Sequence, residues 1–210
     1  MTDSHLSIPD HLRHLPVFNG RPVPWVAIWS GERLGPHMLI GRYGLVPSKG
    51  ERYVRREFDM WMLSGPTKRE GTPDFGSTHS ARQRKAMREQ RCQVCGRSPS
   101  EGGGQRLWTI PDQGEHPKIW LEHLVLNPPT CEQCWQYVNR TDGPCPFVAK
   151  TTVPAFTGPA KPWGVHGTLI LPSGGEQGVV VKFDHPHLPW VLGRELIMEV
   201  TDPQPYSVAS

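Results

Sequence analysis

Apolar positions along the chain come in short runs punctuated by glycine and proline, the pattern of brief strands and tight turns rather than long helices. Trp25-Val26-Ala27-Ile28-Trp29 reads as a buried strand ended by Ser30-Gly31. Residues 37–45 read as one strand interrupted by Gly41 and Gly44. Residues 51–57 are charged and fit a loop or a short helix, and 58–63 alternate as a third strand. The Gly- and Pro-rich stretch 65–76 reads as a linker or mobile loop. Further strands are expected at 147–153, 165–171, 178–183 and 190–200. Only two helices are signalled. Ser80-Ala81-Arg82-Gln83 has the form of a capping box, and no breaker follows until Arg91. A second box, Thr130 with Gln133, opens a helix that Asp142-Gly143-Pro144 stops.

Composition agrees with this reading. The 22 Gly and 23 Pro among 210 residues favour turns, while eight Trp and six Phe supply a usable core for one large domain or two small ones. The N-terminus is polar with no apolar segment after it, and the most apolar run, 23–29, is short and carries Pro24. A cytoplasmic protein of a cell, or of a phage inside one, is therefore expected, without membrane contact. In that reducing compartment five cysteines argue for metal rather than for disulfides.

The cysteines carry the clearest chemistry. Cys92-Gln93-Val94-Cys95-Gly96 has the form of a zinc knuckle, with Gly96 supplying the positive φ its turn wants. Cys131-Glu132-Gln133-Cys134 follows after 35 intervening residues, and places two thiols at i and i+3 on the first turn of the second helix. There the helix dipole favours thiolate. Cys92, Cys95, Cys131 and Cys134 are expected to close one tetrahedral structural Zn2+ site, with no open position for catalysis. Between the pairs, 106–110 and 119–126 fit a hairpin, so knuckle, hairpin and ligand-bearing helix have the layout of a treble clef. Cys145, the fifth, reads as a buried structural thiol or, alternatively, a replacement ligand.

Charge adds a second candidate. Residues 1–97 hold 16 Lys/Arg against 9 Asp/Glu, a balance of +7, whereas 98–210 hold 7 against 11, a balance of −4. The helix after Ser80 concentrates Arg82, Arg84, Lys85, Arg88 and Arg91, with Met87 its only large apolar residue. A helix with so little apolar surface is expected to stay shallow, and its cations suit nucleic-acid phosphates. An acidic protein surface is the other partner they suit, and an ordinary solvated face the plainer alternative. His116, His123, His166, His185 and His187 have no carboxylate at a telling spacing.

The Cys-Gln-Val-Cys-Gly motif, with Asn127-Pro128-Pro129-Thr130-Cys131-Glu132-Gln133-Cys134-Trp135, resembles the zinc frame of HNH endonucleases over about 45 residues. The resemblance implies a divalent-metal nuclease with Glu122-His123 in place of its catalytic pair and Asn127 near its central Asn; Trp135 stands where the family often has a final His. Arg82-Gln83-Arg84-Lys85-Ala86-Met87, Pro144-Cys145-Pro146 and Gly164-Val165-His166-Gly167, together with the cysteine motifs, resemble a set of zinc-containing proteins of actinobacteria and their phages. The whole reads as an α+β, β-rich chain with an arm (1–20), a β-rich part (21–76), the basic helix and zinc module (77–146), a second β-rich part (147–202) and a tail (203–210). The expected function is that of a zinc-stabilised binding protein contacting nucleic acid. The alternatives are an HNH-like endonuclease and a phage or mobile-element protein that binds a host protein.

Overall fold

The computed structural model describes residues 7–33, 35–102, 105–109, 124–139 and 155–206. Strands dominate them. In the N-terminal half, β1 (Val17–Phe18) pairs with β2 (Arg21–Pro22), β3 (Ala27–Trp29) precedes the hairpin of β4 (Met38–Ile40) and β5 (Leu45–Pro47), and β6 (Val54–Glu57) turns into β7 (Met60–Leu63). Strand β8 (Pro73–Thr78) returns to pair with β3 and leads into helix α1 (Ser80–Arg88). After the one-turn helix α2 (Pro99–Gly102) come β9 (Arg106–Leu107), β10 (Leu124–Val125), β11 (Thr130–Cys131) and helix α3 (Glu132–Asn139). The chain closes with β12 (Phe156–Thr157), the long strands β13 (Ala160–Leu171), β14 (Gly174–Lys182) and β15 (Val191–Val200), and β16 (Gln204–Pro205) on β12.

A six-stranded sheet unites the two halves. Its order is β14-β13-β15-β7-β6, with β10 also on β15. Strand β13 runs antiparallel along one edge of β15. The other edge is shared: β7 pairs in parallel at Leu192 and Gly193, and β10 antiparallel at Met198 and Glu199. Between them this edge of β15 has no strand partner among the described residues, and α1 fills the gap. Gln83 accepts the Leu196 N–H at 2.9 Å and donates to the Leu196 carbonyl at 2.8 Å. One side chain thus makes both bonds a neighbouring strand residue would make. Arg84 donates to the carbonyls of Arg194 (3.0 Å) and Leu63 (2.6 Å), closing the rest of the gap against the end of β7.

That arrangement overturns the expectation of a shallow basic helix. Ser80, Arg82, Gln83, Arg84, Ala86 and Met87 are all buried. The helix is held by polar side chains that satisfy backbone groups and carboxylates, so an apolar stripe is not needed to bury it. Its N-cap is His79, whose Nδ1 accepts the Arg82 N–H, so Ser80 is the first helical residue rather than the cap.

Other local expectations shift for identifiable reasons. Residues 37–45 form not one strand but most of a hairpin, turned where the Gly41 N–H meets the Gly44 carbonyl. The charged stretch 51–57 ends in β6, which pairs with β7 while Val54 is buried and Arg55 and Arg56 stay exposed. The stretch 65–76 is partly strand, since Pro73 begins β8 on β3. Strand β10 leaves the expected cysteine-flanking hairpin for the large sheet, and β9 pairs with β11 instead. The strand expected at 147–153 lies outside the described residues. Among the described residues no helix is long and apolar enough to cross a membrane.

Candidate metal centre

The knuckle forms as its sequence requires. The Gly96 N–H returns to the Cys92 carbonyl at 2.8 Å and the Cys92 N–H reaches the Arg97 carbonyl at 3.0 Å, which turns both thiols inward. Gly96 has φ +75° and lies under the indole of Trp25; an added Cβ would come 2.5 Å from Cδ1 and Cγ of that ring. Gly96→Ala is expected to combine the left-handed penalty of about 1–2 kcal/mol with this overlap. Denaturant unfolding of the metal-loaded protein should therefore show at least that loss; an unchanged midpoint would mean that the turn relaxes freely.

The second pair is placed differently from the expectation. Thr130 and Cys131 are strand, opposite Leu107 and Arg106, and helix α3 begins only at Glu132. Cys131 therefore precedes the helix and Cys134 lies in its first turn. Thr130 is no cap: its hydroxyl accepts a bond from Gln93 Nε2 at 2.9 Å. The Gln93 N–H reaches the Pro129 carbonyl at 2.8 Å, so the middle of the first motif is stitched to the strand that carries the second.

Four thiols converge as a result. The sulfurs of Cys92, Cys95, Cys131 and Cys134 all lie within 4.8 Å of one another, and all four residues are buried. Cys95 and Cys131 are 3.9 Å apart at sulfur. Thiolates each about 2.3 Å from one tetrahedral ion stand roughly 3.8 Å from one another. The donor set and its spacing fit a metal ion. Hydrogen bonds from Cys134, Cys92 and Cys95 hold the Cys131 thiol well below its usual range, while those to Cys131 push Cys134 up and burial pushes Cys92 up. A bound cation would hold all four as thiolates.

Part of the shell around the sulfurs comes from the N-terminal arm. Leu12 and Leu15, three residues apart in the N-terminal arm, pack with Val23, Val94, Tyr137 and Val138 in one apolar cluster that contains all four cysteines. His14 Nε2 bonds the Cys95 carbonyl at 2.8 Å, and Arg97 donates to the His11 carbonyl at 3.2 Å. The three-residue leucine spacing was the available signal for this packing.

The cations of α1, and Arg91 just beyond its end, are turned to partners within the chain. Arg82 grips Glu32 through both oxygens, at 2.8 and 2.6 Å, and also donates to the Ala27 carbonyl. Arg84 and Arg88 share Glu57, at 3.0 and 2.6 Å. Lys85 faces Glu89 at 3.8 Å, and Arg91 bonds Glu89, Glu101 and the Gly96 carbonyl, bracing the knuckle from outside. Arg82 and Arg84 are interior side chains, not a surface offered to phosphates. Of the residues assigned to the alternative catalytic set, Asn127 is half-buried, while Glu122 and His123 lie outside the described residues, as do His116 and Cys145. His166 does have a carboxylate partner, Glu195, 2.8 Å from its Nδ1, and Glu195 also accepts a bond from Thr78. Their separation of 29 positions hid that pair from the sequence. No family model matches the chain, and neither a curated protein nor a solved structure matches it.

Proposed function

We propose that this chain is a zinc-stabilised binding protein in which the metal holds the fold and a partner protein docks on the β4–β5 hairpin. Zinc is the natural occupant of four convergent thiolates, and a closed shell of four sulfurs leaves no position for substrate or water. The docking surface rests on one observation. Of the five exposed large hydrophobic residues among those described, four belong to this hairpin: Leu39 (57% exposed), Ile40, Tyr43 (77%) and Val46. Arg42 lies over the Tyr43 ring, 5.1 Å from its centre. The hairpin is anchored on one side near its turn, where Leu45, paired with Ile40, is buried with Val54 and Leu192. An apolar, aromatic surface on an anchored hairpin is the anatomy of an interface anchor.

A photoreactive residue in place of Tyr43 should give one discrete protein adduct in the cells that make this protein. The same residue in place of Gln133, exposed on helix α3 at the metal centre, should not, and Leu39→Ser should abolish the Tyr43 adduct while leaving the unfolding midpoint unchanged. Absence of a Tyr43-specific adduct would sink the docking surface. In parallel, anisotropy with duplex and single-stranded DNA should show no steep salt dependence, because the α1 arginines are already bonded within the chain. Strongly salt-dependent binding would restore the nucleic-acid reading.

A further inference from the structure

Arg106 opens β9, is only 6% exposed, and has no carboxylate within ion-pair distance among the described residues. A buried guanidinium is costly in that state. Its hydrogen bonds go to neutral carbonyls, from Nε to Gln90 at 2.8 Å and from Nη2 to Arg97 at 3.1 Å, while Nη1 is buried with no partner. Carbonyl oxygens solvate the group in part and leave its charge uncompensated.

That charge sits beside the cysteines. Gln90 and Arg97 bracket the knuckle, and the Arg97 carbonyl that Arg106 holds also accepts the Cys92 N–H. Across the β9–β11 ladder Arg106 is directly opposite Cys131. The two side chains therefore leave the same face, with Cβ atoms about 4.5–5.5 Å apart in such a pair. Arg97 repeats the pattern: it follows Gly96, is half-buried, and donates to the His11 carbonyl with no carboxylate in ion-pair reach among the described residues. Arg91 differs. It also bonds a knuckle carbonyl, that of Gly96, but Glu89 and Glu101 neutralise it.

Four thiolates around one divalent ion leave two negative charges on a centre that here lies inside an apolar cluster. We propose, resting on the reading of the four thiols as a zinc site, that Arg106 and Arg97 are the counter-charges of that centre. Each acts as a positioning residue and not as a ligand, since a guanidinium has no lone pair to give the metal. Arg106 needs no carboxylate because its anion is the loaded metal centre itself. Zinc binding and the burial of Arg106 are thereby coupled: the ion turns four neutral thiols into the negative charge that the arginine lacks without it.

The test compares the full-length protein with Arg106→Gln, Arg106→Lys and Arg97→Gln, each loaded with zinc or with cobalt. Chelator competition should show zinc binding weakened about 10–100-fold in Arg106→Gln, the usual loss for a group that supports metal ligands from outside. The factor should be smaller in Arg97→Gln, where water screens the charge. Arg106→Lys keeps the charge while giving up a carbonyl bond, and should retain most of the affinity. Cobalt supplies a signature that lost hydrogen bonds alone do not produce. Removing a nearby positive charge raises the energy of the sulfur lone pairs, so the thiolate-to-cobalt charge-transfer band should move to longer wavelength in both Gln variants and stay in place in the Lys variant. The ligand-field bands should keep their tetrahedral four-sulfur pattern throughout. Arg97→Gln, at a half-buried position, carries this measurement even where Arg106→Gln yields no folded protein. An unshifted band in the Gln variants, or zinc affinity lost equally in Arg106→Gln and Arg106→Lys, would overturn the counter-charge role. A wild-type protein that takes up neither metal would remove the zinc site itself.

Discussion

Stripping the metal with a chelator, or replacing Cys92 with Ser, should collapse the part of the protein built around the four thiols. Zinc bound to small structural sites contributes on the order of 10–16 kcal/mol at pH 7, as much as or more than the roughly 5–15 kcal/mol that separates a typical folded domain from its unfolded chain. Here the sulfurs are the centre of an apolar cluster that includes Leu12, Leu15, Trp29, Val94 and Tyr137. Take the ion away and thiol protons must be housed where they now have only one another as partners. We expect amide protection to vanish first over the N-terminal arm, the knuckle and α3, with β13, β14 and β15 opening later. Metal release, read by a chromophoric chelator, should run parallel to the change in fluorescence from Trp25, Trp29 and Trp135. A zinc-free protein with its original unfolding midpoint would refute a structural role for the site.

Arg82→Leu should cost about 3–5 kcal/mol, the usual penalty for stranding one member of a buried ion pair. Glu32 has a side chain with 0% exposure and Arg82 one with 10%, so the carboxylate left behind could not reach water without moving the backbone. The double variant Arg82→Leu, Glu32→Leu should recover much of the loss, because the uncompensated charge goes with it. It should not recover all of it, since the Trp29 N–H and the Ala27 carbonyl would each lose a partner. Lys85→Gln, on the same helix but half-exposed beside Glu89, should change stability by no more than about 0.5 kcal/mol. Urea unfolding of the four proteins separates the cases. Equal, small effects at Arg82 and Lys85 would mean that the helix is a surface after all.

The two outcomes trace what could be read from the chain. Ligand identity was legible because it is local: the paired Cys-x-x-Cys motifs and the glycine after the first each point to metal on their own. The C-terminal ends of β13, β14 and β15 were legible for the same reason, as runs of β-branched and aliphatic residues that stop before glycine or proline, whereas β13 and β14 begin earlier than those runs, at Ala160 and Gly174. The fate of α1 was not. Many cations and a single large apolar residue suggested a shallow helix offered to phosphates, but the helix ends at Arg88, short of Arg91, and it is buried. What buries Arg82, Gln83 and Arg84 is a carboxylate 50 positions earlier, another 27 earlier, and backbone groups more than 100 positions later. No window of sequence contains those partners. Strand β10 slipped for a similar reason: Leu124 and Val125 had apolar character enough for a hairpin beside the cysteines, but the large sheet offered them Met198 and Glu199.

The gap in β15 that Gln83 and Arg84 close also bears on the order in which the protein can assemble. A chain leaving the ribosome makes β6, β7 and α1 long before Leu196 exists, and through that interval the polar side chains of α1 have no edge to complete. Contacts spanning more than a hundred residues carry the entropy of closing a long loop before they return any stability, which slows folding. The metal site has all its ligands by Cys134, some sixty residues earlier, so a metal-bound N-terminal lobe could form first and hold α1 close to where β15 will arrive. The final strand would then dock on a helix already oriented by its Arg82–Glu32 clamp. Ribosome-bound chains halted before and after β15 should differ sharply in the protection of Gln83 and little in that of Cys92.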